Sequence, residues 1–137
     1  MSRDGTLFVI NPNSSETVTR GIEHALDPLR RFGREIRCLT LAEGPPGIES
    51  QVQADMTIAP MIALAQKHES QAAGFVIACF GDPGLHALRD VTALPVVGIQ
   101  EAAVMTALTL GHRFGVIAIL PASIPRHMRN FGAMGVT

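Results

Sequence analysis

Ala73-Gly74-Phe75-Val76-Ile77-Ala78-Cys79-Phe80-Gly81-Asp82-Pro83-Gly84-Leu85 is the stretch on which the fold turns. Residues 75–78 are a short, wholly apolar run, with Gly74 in front and Gly81-Asp82-Pro83-Gly84 close behind. Such a run predicts a strand buried on both faces, as in parallel sheets covered by helices on each side. Cys79 then stands at the carboxyl end of the strand, where open α/β sheets place their ligand crevice. Gly81 lets the backbone approach a ligand, and Asp82-Pro83 reads as the cap and first residue of a following helix. A thiol so placed has two readings: a reactive group whose pKa a helix N-terminus lowers, or a small buried hydrophobe.

Working outward, the same alternation recurs. Leu7-Phe8-Val9-Ile10 predicts a first buried strand running into Asn11-Pro12-Asn13-Ser14-Ser15-Glu16, a turn of residues that bond their own backbone. Asn13 with Glu16 three places on resembles a capping box, and Val18, Ile22, Ala25, Leu26 and Leu29 form one helical stripe. Residues 35–41 alternate as a second strand, with Cys38 on its packed face. Residues 42–54 have no regular period and read as a binding loop or lid, where Glu49 and Ser50 are solvated or touch a ligand. Helices are expected over 55–68, with Pro60 kinking it or delaying its regular start, and over 83–90, and a fourth strand over 94–98. Residues 100–110 are apolar nearly all round, which predicts a buried helix ending at Gly111. A further strand over 113–120, a turn at Pro121-Ala122-Ser123 and a helix over 124–131 opened by Pro125 repeat the first strand–turn–helix unit.

Composition limits the partners. The 137 residues are 47% hydrophobic and 17% charged with a formal net charge of −1, which disfavours disorder and nucleic-acid binding. No apolar run reaches membrane-spanning length, and the amino terminus has no signal-peptide core, so the expected location is the cytoplasm. Cys38 and Cys79 have neither zinc nor thioredoxin spacing, and His24, His68, His86, His112 and His127 show no ligand pattern. Asp82 and Glu101 read as helix-capping carboxylates.

Asn11 to Ser15, Ile77 to Leu85, Pro95-Val96-Val97-Gly98-Ile99-Gln100-Glu101-Ala102-Ala103 and Gly111-His112-Arg113-Phe114-Gly115-Val116, taken in order, resemble the hydantoin racemases of the aspartate/glutamate racemase superfamily. The resemblance implies two doubly wound, flavodoxin-like α/β lobes related by a pseudo-twofold axis, with one catalytic cysteine from each lobe facing the crevice. It implies that Cys79 is the first of those cysteines and that Asn13, Ser14, Ser15, Phe80, Gly81 and Ser123 hold the substrate. The chemistry fits. Inverting a carbon beside a carbonyl needs a base on one face and an acid on the other, and a thiol lowered toward neutrality serves as either. The enolate needs N–H and hydroxyl donors, and no metal or organic cofactor.

Applied to Ser123, the spacing from Asn13 to Cys79 places a second cysteine well beyond Thr137. Residues 1–97 are therefore expected to form the first lobe and 98–137 the start of a second, with a small-molecule substrate, no nucleic-acid or membrane partner, and self-association through the apolar residues after Gly98. The alternatives are a one-thiol or non-catalytic remnant that binds a small carboxylate or carbonyl compound.

Overall fold

A computed structural model describes residues 5–136; the reading of the extreme amino terminus falls outside them. Four strands form one parallel sheet: β1 (Thr6–Asn11), β2 (Ile36–Thr40), β3 (Ala72–Ile77) and β4 (Val96–Gly98). Their order across the sheet is β2-β1-β3-β4. The chain leaves β1 to one side for β2 and returns to its other side for β3, so the order reverses there. The crevice at the carboxyl ends of β1 and β3 is the switch point at which such sheets bind ligands.

The alternation of side chains along each strand divides the core. Phe8 and Ile10 of β1, Phe75 and Ile77 of β3, and Val96 of β4 are buried against Met61 and Ala65 of α3 (Ile58–His68) and Leu85 and Leu88 of α4 (Leu85–Val91). Each such side chain contributes about 1.5–3 kcal/mol when fully buried. The other face carries Leu7, Val9, Val76 and Ala78. These meet the apolar stripe of α1 (Glu16–Arg30) across a cavity of about 360 Å³. Val76 is only half-buried, so β3 is less completely covered on this side than its apolar sequence predicts.

Several local expectations are corrected. The cap of α1 is Ser15, whose side chain accepts from the amide of Val18, rather than Asn13. The expected loop over 42–54 ends in a helix, α2 (Gln51–Met56), because Ser50 and Gln53 form a reciprocal capping box. Asp82-Pro83 does not open α4. Asp82 has φ +44°, and the N-cap is Gly84 in the left-handed region. Glu101 lies in the first turn of α5 (Ile99–Leu110) and pairs with Arg89 at 3.0 Å.

The largest departure lies over 113–120, where no strand forms. A parallel strand needs a neighbour to pair with, and among the described residues none adjoins this segment. Much of the segment consequently stays exposed, Ile117 being 96% and Ile119 93% exposed. The helix before it is not buried all round either. Gln100 and Val104 are buried, whereas Leu108 and Leu110 are exposed. The last helix, α6 (Ile124–Ala133), has Pro125 in its first turn and folds back over the carboxyl edge of the sheet through side-chain bonds to Ser50, Gly81 and Gln100.

The β3–β4 pair depends on the absence of a side chain at residue 74. A Cβ on Gly74 would lie 2.8 Å from the carbonyl oxygen of Pro95, the group that accepts from the Phe75 amide at 2.9 Å. Gly74→Ala is expected to force β4 away and cost about 1–3 kcal/mol. Thermal unfolding checks this, and an unchanged midpoint would contradict the register.

Candidate active site

Cys79 follows β3 at the carboxyl edge, half-buried, as the strand reading requires. It lines a cavity of about 290 Å³ at the switch point. Asn13 reaches the cavity from the turn after β1, Ala78 and Phe80 from β3 and its turn, and Ser123, Arg126 and His127 from the start of α6. The extended residues 117–120 close one side.

The turn after β1 is held by its own side chains. Asn11 Nδ2 donates to Asn13 Oδ1 at 2.9 Å, and that oxygen also accepts from the Ser15 amide at 2.9 Å. Asn13 Oδ1 is thereby committed, leaving the Nδ2 donor as the group it can offer the cavity. Ser15 is spent on capping α1, and the Ser14 amide donates to the Pro45 carbonyl. Neither lines the cavity, so of the three expected binding residues in this turn only Asn13 faces it. Phe80 and Ser123 line it. The Ser123 hydroxyl donates to the Leu120 carbonyl at 2.7 Å and keeps its acceptor lone pairs. Gly81 lines a neighbouring pocket instead, and what approaches its backbone is the guanidinium of Arg126. Its φ of +137° is the reason glycine stands there.

Two cavity residues, Arg126 and His127, were not legible as such. The protonation state of His127 follows from a chain of hydrogen bonds. The Gly81 carbonyl can only accept, so Asn130 presents Nδ2 to it at 3.1 Å. The second hydrogen of Nδ2 goes to Gln100 Oε1 at 2.7 Å. Gln100 must then present Nε2 to His127 Nδ1, 2.9 Å away, which makes Nδ1 an acceptor. His127 is therefore neutral with its proton on Nε2. Burial, and then the charge of Arg126, lower its pKa and agree with that assignment. The ring also meets Phe80 edge-on at 5.3 Å between centroids. A Pro-Arg-His sequence opening a helix was the available signal, but the partners lie far away in sequence.

The thiol contradicts the expectation of a depressed pKa. Burial pushes Cys79 up to about 11, the Asp82 carboxylate adds to the rise, and the Arg126 guanidinium opposes it without prevailing. The helix expected beside Cys79 begins only at Leu85, so its N-terminal amides do not serve the sulfur. Cys38 lies on β2 opposite Val9, outside the cavity, and burial raises its pKa too. Among the described residues no group of His, Cys, Asp and Glu could hold a metal ion.

Because the thiolate fraction of Cys79 grows until pH approaches 11, its alkylation by iodoacetamide is expected to accelerate steadily from pH 7 to about 10. Mass spectrometry of the modified peptide reads the rate. A plateau near pH 8 would mean that the thiol is activated.

Comparison with known proteins places this geometry. A family model described as Asp/Glu/Hydantoin racemase matches residues 7–137. A hydantoin racemase of Pseudomonas sp. (strain NS671) is 45% identical over 114 residues, which are 82% of this chain and 46% of that protein. A hydantoin racemase of Rhizobium meliloti is 39% identical over 87% of this chain and 50% of its own length. The solved allantoin racemase from Klebsiella pneumoniae superposes with a TM-score of 0.89 at 32% identity, covering 96% of this chain and 54% of that one. An allantoin racemase from Pseudomonas fluorescens shares the fold, with the same TM-score at 24% identity. The chain spans about half the length of these curated relatives. With a strand-end cysteine in a switch-point cavity and a match along nearly its whole length, the chain belongs to the Asp/Glu/hydantoin racemase family.

Proposed function

We propose that this chain supplies one catalytic face of a cytoplasmic, cofactor-independent racemase acting beside a carbonyl of a 5-substituted hydantoin or a related ureide such as allantoin. The observation that carries the reading is the position of Cys79. It lies at the switch point, in a cavity that also offers Asn13 Nδ2 and the neutral His127. Both cysteines are free thiols, which suits a reducing compartment.

In the proposed reaction a thiolate on one face takes the proton from the carbon, and the C–H electron pair moves onto the carbonyl oxygen as an enolate. A thiol on the other face then returns a proton to the carbon as the enolate collapses, inverting the centre and exchanging the two sulfur charges. The raised pKa of Cys79 makes it a thiol at neutral pH, so its resting role is the proton donor. Cys38 lies outside the cavity, so the opposite thiol is assigned to a surface that residues 5–136 do not provide. Sequence length supports that division, since the relatives are about twice as long.

The 137-residue chain is accordingly expected not to racemise a hydantoin, but to exchange the proton of one enantiomer slowly for deuterium, through the small fraction of Cys79 that is thiolate. Proton magnetic resonance in deuterium oxide reads the exchange. Cys79→Ser is expected to reduce it by about 100-fold or more. Full racemisation retained in Cys79→Ser would contradict the two-thiol reading. Binding without any exchange would favour the alternative, a non-catalytic carbonyl- or carboxylate-binding remnant.

A further inference from the structure

We propose that Arg126 is the oxyanion-binding group of the Cys79 cavity, its guanidinium receiving a carboxylate or enolate oxygen two bonds from the carbon that faces the sulfur. The inference rests on the Cys79 cavity being the substrate site, and it adds a residue and a charge to that site.

Arg126 is 7% exposed, which is unusual for arginine unless its charge is matched. No carboxylate among the described residues forms an ion pair with it. Nη1 donates to the Ser50 carbonyl at 2.9 Å, while Nε is fully buried without a hydrogen-bond partner. The carboxylate of the turn after β3 is spoken for, because the two oxygens of Asp82 accept from the amides of Gln100 and Glu101. His127 beside it is neutral and adds no negative charge. Burying a cation without a carboxylate partner is costly, and folded proteins leave few such charges unmatched unless an anion completes them.

The surroundings agree. Arg126 lies in the first turn of α6, whose N-terminus faces the cavity with no side chain capping it. The helix dipole there favours negative charge. The guanidinium rests against Gly81, with Nε 3.6 Å and Nη2 3.9 Å from where a Cβ would stand. It is thus held next to the turn that carries Cys79. A planar donor fixed in that way selects a planar oxyanion over a neutral amide. The ligand class is a compact carbonyl compound that carries a carboxylate, or whose carbonyl oxygen becomes anionic when the neighbouring carbon loses its proton.

Paired alkylating reagents test this without turnover. Iodoacetate and iodoacetamide have nearly the same shape, and in both the thiolate displaces iodide. Only iodoacetate carries an anionic oxygen two bonds from the carbon that meets the sulfur. At pH 8.5 the iodoacetate-to-iodoacetamide rate ratio at Cys79 is expected to exceed that of free 2-mercaptoethanol by about tenfold. Arg126→Gln should return the ratio to the free-thiol value, and Arg126→Lys should retain part of the preference, with circular dichroism checking the fold of each. A wild-type ratio equal to that of free thiol, or no reaction of Cys79 with either reagent, overturns the proposal even if a variant fails to fold. So does a ratio that survives in folded Arg126→Gln. Because no hydantoin enters the assay, a positive ratio stands even if the chain exchanges no substrate proton, which separates failure of this inference from failure of the racemase reading.

Discussion

Asp82 leaves the turn after β3 with φ +44° and sends its carboxylate into the first turn of α5, where the amides of Gln100 and Glu101 donate to it at 2.9 and 2.7 Å. Helix N-termini leave such amides unsatisfied, and here the missing acceptor comes from the turn that carries Cys79. Gly98 makes the approach possible, since a Cβ there would lie 2.2 Å from the carboxylate carbon. Burial raises the Asp82 pKa while the two amide bonds oppose the rise, as expected of a carboxylate held in a half-closed site. Once α5 is fixed, the buried Gln100 side chain stands where it can hold both His127 and Asn130. Asn130 returns to the Gly81 carbonyl, closing a loop of bonds from turn to α5 to α6 and back.

That loop sets the electrostatics of the cavity. The cavity has a neutral imidazole, a thiol kept protonated by burial, and one guanidinium that no carboxylate among the described residues pairs with. For carbanion chemistry this combination has a definite sense. In the proposed reaction the positive charge of Arg126 would meet the enolate oxygen, and the proton on Cys79 would return to the carbon. A thiol pKa near neutrality would weaken the proposed donor role, so the raised value and the proposed role of Arg126 are mutually consistent.

Much of the scaffold was legible in the residues. The apolar runs at 7–10, 75–78 and 94–98 are strands with ends within three residues, and the stripe from Val18 to Leu29 lies on one helix. Cys79 at a strand end needed only the switch from an apolar run to a glycine-rich turn. The failures share a physical cause. Arg126 and His127 take their meaning from Ser50 and Gln100, partners 76 and 27 positions away, and no local pattern encodes such pairings. Residues 113–120 have strand-like composition, but composition cannot supply the neighbouring strand that pairing requires. The thiol pKa was misjudged because a helix start was placed next to the sulfur, whereas a turn intervenes and burial outweighs the one nearby cation. Ser50 and Gln53, by contrast, carried a readable capping signature within the expected loop.

The dependence of the cavity on one carboxylate is open to direct measurement by amide hydrogen exchange in Asp82→Ala beside the wild-type chain. Loss of the cap is expected to speed exchange at Gln100 and Glu101 by about tenfold. Through the Gln100 side chain it should also loosen residues 126–130 of α6, while the amides of β1 and β3 keep their protection. Unchanged protection in α6, or an equal loss throughout the sheet, would contradict the claim that Asp82 ties the Cys79 turn to the helix that completes its cavity.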